Sequence, residues 1–195
     1  MQIIKHRVNS IEALKSLNPA YGAEIDLRSR GNEIYLNHDP FTKGDSFEEW
    51  LDSYNHGTLI LNTKEEGLEQ RIISLLKERN IKDYFFLDLS FPFLIKTSLN
   101  GEKNIAVRLS EYESIETVNN VSNMVDWVWL DSFFKFIYDI DKLKYLRNLG
   151  VKICIVSPEL QDRWDETEIN EIKIKVLDSF GKDFHVCTKF PEKWL

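Results

Sequence analysis

Three short stretches of this chain hold residue types suited to acid–base and metal chemistry. "KHRVNS" sets His6 and Arg7 directly after a short apolar run, "GAEIDLR" sets Glu24 and Asp26 two apart, and "NHDP" supplies His38 and Asp39. In an extended strand, residues i and i+2 project from the same face, so the two carboxylates point the same way. Aimed into one cavity they repel each other unless a cation lies between them. A hard divalent ion with oxygen ligands, Mg2+ or Ca2+, answers that need. An alternating, solvent-facing strand satisfies the same spacing without a metal. A histidine near neutral pKa moves protons at pH 7. Two of them, His6 and His38, flanking two carboxylates make a more specific arrangement than either alone.

The elements that must position these residues are read from hydrophobic periodicity. Eight β-like runs recur along the chain: "QIIKH", "AEIDLR", "TLILN", "YFFLDLS", "NIAVRLS", "DWVWLD", "VKICIVS" and "FHVCTK". Several are apolar without clean alternation, as in parallel strands covered on both faces. "EIYL" reads as a short strand returning after an "RGN" turn. Helix-like spacing begins at Ile11 and Leu14 and fills 65–79, 135–149 and 166–180, the second on a stripe from Phe136 through Ile140, Leu143 and Leu146. Ser46 and Asp165 read as helix starts, and Gly150 as a stop. Strand–helix alternation in eight units predicts an α/β fold, a compact (β/α)8 TIM barrel formed by residues 1–195 as a single domain. In such a barrel chemistry sits at the C-terminal strand ends. His6, Arg7, Glu24, Asp26, Arg28, Asn62, Lys64, Asp88, Arg108, Asp131 and Lys189 all fall there, whereas His185 opens the last strand at the opposite end and His56 lies in a turn.

Composition sets outer limits. The 195 residues are 43% hydrophobic, enough for one substantial core. A net charge of −7 argues against a nucleic-acid surface, which needs a basic face, but leaves room for a small cationic pocket. Cys154 and Cys187 lie in apolar strand-like runs and read as buried free thiols. No segment has the length and apolarity of a membrane span or a leader core, so the expectation is a soluble cytoplasmic protein.

Taken together, "HR" at the first strand end, "GAEIDLR" at the second and "HDP" after it resemble the glycerophosphodiester phosphodiesterase family, one of the phospholipase C-like phosphodiesterase barrels. "HRVN" also resembles the first-strand motif of sphingomyelinase D-like enzymes. The match is strongest over residues 6–39. The resemblance implies that His6 and His38 are the acid–base pair, that Glu24 and Asp26 are metal ligands, that Arg7 contacts phosphate, and that Lys64 is the lysine of the third-strand "E-x-K". Of that pair we read His38 as base and His6 as acid, although the residues themselves allow the reverse. The third-strand acidic ligand is replaced here by Asn62, and Asp88 is the candidate to make good the lost charge. Only 23 residues separate His38 from Asn62, so no large insertion caps the mouth. Arg108 and Lys189 are further cationic groups for the substrate. Trp129 is either a wall for the leaving group or a core aromatic. The implied activity is metal-dependent hydrolysis of a small glycerophosphodiester-like or sugar phosphodiester. The rival is a phosphate-binding barrel that has lost turnover along with the third carboxylate.

Overall fold

The computed structural model describes residues 1–195. Eight strands run parallel: β1 (Gln2–Lys5), β2 (Gly22–Arg30), β5 (Leu59–Thr63), β6 (Tyr84–Leu87), β7 (Ala106–Leu109), β8 (Trp127–Leu130), β9 (Lys152–Val156) and β10 (His185–Thr188). All eight coincide with the predicted runs. Their spatial order is β6-β5-β2-β1-β10-β9-β8-β7, a sheet curled into a TIM-barrel-like wall. Its two ends, β6 and β7, share one parallel bridge, Phe86 with Ile105, in place of a ladder.

Seven helices connect the strands: α1 (Ile11–Ser16), α2 (Phe47–Asp52), α3 (Glu69–Glu78), α4 (Phe91–Leu99), α5 (Ile115–Val121), α6 (Ile140–Asn148) and α7 (Glu166–Phe180). The start signals operate as read. The Ser46 hydroxyl accepts from the Glu49 N–H, and the Asp165 carboxylate from the Thr167 N–H, at the heads of α2 and α7. The stripe over 135–149 is shorter than its periodicity suggested. Asp139 caps α6 by accepting from Lys142, so Phe136 precedes the helix, and of that stripe Leu143 and Leu146 are buried while Ile140 is exposed.

Two apolar clusters hold the wall from either side. The larger packs strands against helices and includes Leu14, Ile72, Leu143 and Ile172. The smaller contains strand residues alone, from Ile4 through Phe85, Trp127 and Trp129 to Cys187, and fills the inside of the curl. Cys154 and Cys187 are free thiols in that interior, and burial pushes both pKa values up. Trp194 packs fully buried, its indole N–H on the Ser157 hydroxyl at 2.8 Å. No helix is long and apolar enough to cross a membrane.

One departure from the regular strand–helix alternation serves the site. β2 is nine residues long and outruns β1, whose pairing with it stops at Lys5–Ala23. The last four residues of β2 pair antiparallel with β3 (Glu33–Leu36), which pairs in turn with β4 (Asp45–Ser46). The two-residue turn between β2 and β3 needs Gly31 at φ 62, in the left-handed region. This hairpin returns the chain to the C-terminal rim just before His38.

Candidate active site

Glu24 and Asp26 project from the part of β2 that extends beyond β1, and both are essentially inaccessible, 1% and 0% exposed. Beyond β1 the chain turns through Arg7, which holds φ at 55. Such a backbone costs a non-glycine residue on the order of 1–3 kcal/mol. The turn directs the Arg7 N–H onto Glu24 Oε2 at 2.8 Å and leaves the guanidinium Nε 3.8 Å from Asp26. Asn9 then clamps Asp26 twice: its amide donates to Oδ2 at 2.7 Å, and its carbonyl accepts the Asp26 N–H at 2.9 Å. Sequence reasoning overlooked Asn9. The available signal was a lone polar side chain between His-Arg and the helix-capping Ser10.

From β5, Asn62 and Lys64 enter the same space. Asp26 and Asn62 are register partners on the β2–β5 ladder. Asn62 donates to Glu24 Oε1 at 3.0 Å, and Lys64 Nζ lies 3.1 Å from Asp26 Oδ1. Two oxygens here, Asp26 Oδ1 and Asn62 Oδ1, are buried with no hydrogen-bond donor; the Lys64 contact is an ion pair that lacks hydrogen-bond geometry. Buried polar atoms without partners are uncommon in native structures and mark places that take a ligand or ion. With the Glu24 carboxylate they form an oxygen-only donor set, the type a hard divalent cation takes. Nowhere in the chain do three or more His, Cys, Asp or Glu side chains gather as a metal cage. The candidate set is therefore two carboxylates and one amide.

The electrostatics follow from burial. Glu24 is pushed up to about 7, by desolvation first and then by the neighbouring Asp26 charge. His6, with Nε2 3.8 Å from Glu24, is pushed down to about 3. Burial is the largest cause, followed by the Arg7 charge, with Lys189 and Lys64 adding and Asp26 opposing. His6 is thus a neutral imidazole throughout the neutral range.

His38 stands on the rim, partly exposed. Arg28 holds its carbonyl at 2.8 Å, and the Asn37 N–H bonds the Asp26 carbonyl at 3.0 Å, so the β3 end is tied to β2 beside the carboxylates. Its Nδ1 is 2.8 Å from Asp39, leaving Nε2 free. Asp39 is held below the usual carboxylate range by that hydrogen bond, with Arg7 and Arg28 contributing. Arg7 therefore acts on His6 on one side and on the His38–Asp39 pair on the other.

No protein-family model and no curated protein matches the sequence. Solved structures do match in fold. A protein from Galdieria sulphuraria, assigned as a glycerophosphodiester phosphodiesterase, superposes with a TM-score of 0.74 at 16% identity, over 99% of this chain and 95% of that one. The glycerophosphodiester phosphodiesterase of Agrobacterium tumefaciens str. C58 gives 0.69 at 11% identity, over 100% and 99%. The fold is that of the glycerophosphodiester phosphodiesterases. A mutant tryptophan synthase α-subunit from Pyrococcus furiosus scores lower, 0.58 at 12% identity over 95% and 86%. At these identities the likeness is one of fold.

Within this phosphodiesterase-like fold, four other predicted residues lie apart from the carboxylate pair or are already engaged. Asp88, expected to supply the missing carboxylate, is bound instead to Arg108. The cause is parity. Phe85 and Leu87 of β6 face the interior, so Asp88 falls on the other face, and its φ of 60 re-aims it across the β6–β7 seam. Arg108 is bound by Asp88 and Asp131, with Glu113 at 3.9 Å, so it is not a free cation for a substrate. Trp129 is 4% exposed and belongs to the interior core, so the core reading holds for it. Lys189 is anchored by Glu159: its N–H meets Oε1 at 2.9 Å, and its Nζ meets the Glu159 carbonyl at 3.2 Å. Glu159 is itself buried and also accepts from Thr188 at 2.5 Å. Sequence reasoning missed it, although a Glu inside the apolar "VSPEL" was the signal.

Proposed function

We propose that the chain is a metal-dependent phosphodiester hydrolase acting on a small glycerophosphodiester-like or sugar-phosphodiester substrate, with the β6–β7 seam completing a (β/α)8 barrel. The observation that carries this reading is the convergence of His6, Arg7, Lys64 and two unpartnered buried oxygens on the Glu24–Asp26 pair. Glu24, Asp26 and Asn62 would hold Mg2+ or Ca2+, which when bound supplies positive charge against the phosphoryl oxygens. Arg7 and Lys64 flank the carboxylates and would receive the phosphodiester anion.

His6 takes the role of base by position, in the reverse of the order read from the sequence: its Nε2 lies 3.8 Å from Glu24, beside the candidate metal set where the attacking oxygen would be held. It would remove the proton of the attacking oxygen, either water or a hydroxyl of the substrate. His38, beside an ionised Asp39 and with Nε2 free, would give a proton to the departing oxygen as its bond to phosphorus breaks. Attack by water yields a phosphomonoester and an alcohol; attack by a substrate hydroxyl yields a cyclic phosphate and an alcohol.

One observation favours the rival reading, a binding barrel without turnover: Lys64 already neutralises part of Asp26 where a third carboxylate is lacking. Release of p-nitrophenol from bis-p-nitrophenyl phosphate separates the two. The hydrolase reading expects release that a chelator abolishes and Mg2+ or Ca2+ restores. Phosphate binding with no release from this or a panel of natural diesters supports the rival.

A further inference from the structure

The mouth of the barrel has two unlike halves. Its charged half is built on β1, β2 and β5. The loops after β7, β8 and β9 make the other half and hold three aromatic side chains in water: Tyr112, Phe134 and Trp164, at 72%, 69% and 55% exposed. Large exposed aromatics grouped on one surface mark a contact site more often than chance exposure does. These are not side chains on slack loops. Glu111 accepts the N–H groups of Phe133, Phe134 and Lys135 at 2.9, 3.0 and 3.3 Å, pinning the β8 loop. Arg163 ties the Trp164 loop to that one by donating to the Ser132 carbonyl, and Glu168 holds its other nitrogens at 3.1 Å. Tyr112 sits 6.2 Å from Phe134, ring to ring. Hydrogen bonds thus tie the two loops to each other while the three rings remain exposed.

Lys189 joins this half to the chemistry. Its Nζ lies 5.7 Å from the Trp164 ring centroid, and the carbonyl of the residue before it, Thr188, accepts the His6 backbone N–H at 2.9 Å. Trp164 therefore neighbours the His6 side of the mouth, where a substituent of a bound phosphodiester would extend. The surroundings narrow what that substituent is. Asp162 and Asp165 flank Trp164, and Glu111 and Glu113 flank Tyr112, while the nearby Arg163 is occupied by Glu168. A bilayer-docking surface needs an excess of spare Lys and Arg around its aromatics, whereas here four carboxylates stand against Lys135 and Lys189. A sugar ring fits both features: its C–H face lies on the electron-rich face of an aromatic ring, and its hydroxyls donate to carboxylates.

We infer that Trp164, with Tyr112 and Phe134 on the loops tied to its own through Arg163, is an aromatic platform for a sugar ring carried by the phosphodiester. The inference rests on the phosphodiester reading of the charged half and names its substrate class.

Trp164 also provides the probe. The other four tryptophans, Trp50, Trp127, Trp129 and Trp194, are at most 4% exposed, so changes in acrylamide quenching report on Trp164. With Mg2+ present, the wild type is titrated with α-D-glucose 1-phosphate, sn-glycerol 3-phosphate and inorganic phosphate, each followed by quenching and calorimetry. The sugar phosphate should bind tightest and shield Trp164. Trp164→Ala should weaken its binding about 3- to 10-fold, the worth of one stacking contact, and leave inorganic phosphate unchanged. Trp164→Phe should keep most of the sugar preference. Equal affinity for the sugar phosphate and inorganic phosphate overturns the platform and leaves the phosphate site standing. Shielding of Trp164 by phosphatidylcholine–phosphatidylglycerol vesicles, without the sugar preference, also overturns it, in favour of a bilayer. No binding of any of the three ligands overturns the phosphodiester reading, and this inference with it.

Discussion

Lys64 Nζ sits 3.1 Å from Asp26 Oδ1, an oxygen that has no hydrogen-bond donor, on a carboxylate that is 0% exposed. Asp26 is wholly out of water and Lys64 largely so, and the other cation near Asp26, Arg7 Nε, is farther away at 3.8 Å. Removing one member of a buried pair strands the other charge, which costs about 3 kcal/mol or more. Lys64→Met should therefore lose about that much stability in urea denaturation with a chelator present. Mg2+ should recover part of the loss, because Asp26 regains a cation. A neutral Lys64→Met would mean that Asp26 does not depend on the ammonium.

Glu24 and His6 give opposite pH dependences. Glu24 is raised to about 7 from an ordinary value near 4.5, so its contribution to stability is full below about 4.5 and is lost as pH rises through 7. His6 is lowered to about 3 from 6.5, so its contribution is full above 6.5 and is lost as pH falls toward 3. With a chelator present, wild type should lose stability relative to Glu24→Gln between pH 4.5 and 7. Divalent metal binding should release a proton below pH 7, since the ligand must be deprotonated. Calorimetry in two buffers of different ionisation enthalpy measures that proton directly.

Asn62 sets the strength of the donor set. Two carboxylates and an amide leave a divalent ion only partly neutralised, so metal affinity should be modest and should rise when a phosphodiester analogue is bound, by the same factor in each direction. Asn62→Glu should tighten Mg2+ binding and lower stability without metal, because it adds a third charge to a buried pair. Titration of Mg2+, Ca2+ and Mn2+ into both proteins tests this. Tight binding by the wild type alone, weakened by Asn62→Glu, would show that another group already completes the set.

Arg108 separates structure from binding. Held by Asp88 and Asp131, it staples β7 to both neighbouring strands, including across the one-bridge seam with β6. Arg108→Met should cost about 3–5 kcal/mol of stability by leaving Asp131 buried and unpaired, while phosphate affinity at a temperature where the variant is folded stays close to wild type. Arg7→Ala should do the converse, weakening phosphate binding more than stability.

What could be read in advance follows the strand period. His6, Glu24, Asp26, Asn62 and Lys64 all share the inward parity of their strands, and an alternating pattern beside apolar runs makes that parity visible in the sequence. Asp88 was misplaced because it follows Leu87 on the outward parity of β6, and the left-handed φ that then turns it toward Arg108 is announced by no local composition. Arg108 was read as free because its partners come from β6 and β8, 20 and 23 residues away. The wall aromatic was sought at Trp129, on a strand that turns it into the core, whereas the exposed aromatics lie on loops, where periodicity says nothing. Asn9 and Glu159 act through partners brought close only by the fold.

The central claim is that His6 and the Glu24–Asp26 pair cleave a phosphodiester, and 31P NMR tests it most directly. A glycerophosphodiester and a sugar phosphodiester are incubated with Mg2+ and wild type, His6→Ala or His38→Ala, and the diester signal is followed. The account predicts conversion to a monoester or cyclic phosphate that stops on chelation and is slowed about 10²- to 10⁴-fold in each variant. Equal turnover by wild type and His6→Ala, or turnover indifferent to the chelator, would contradict it.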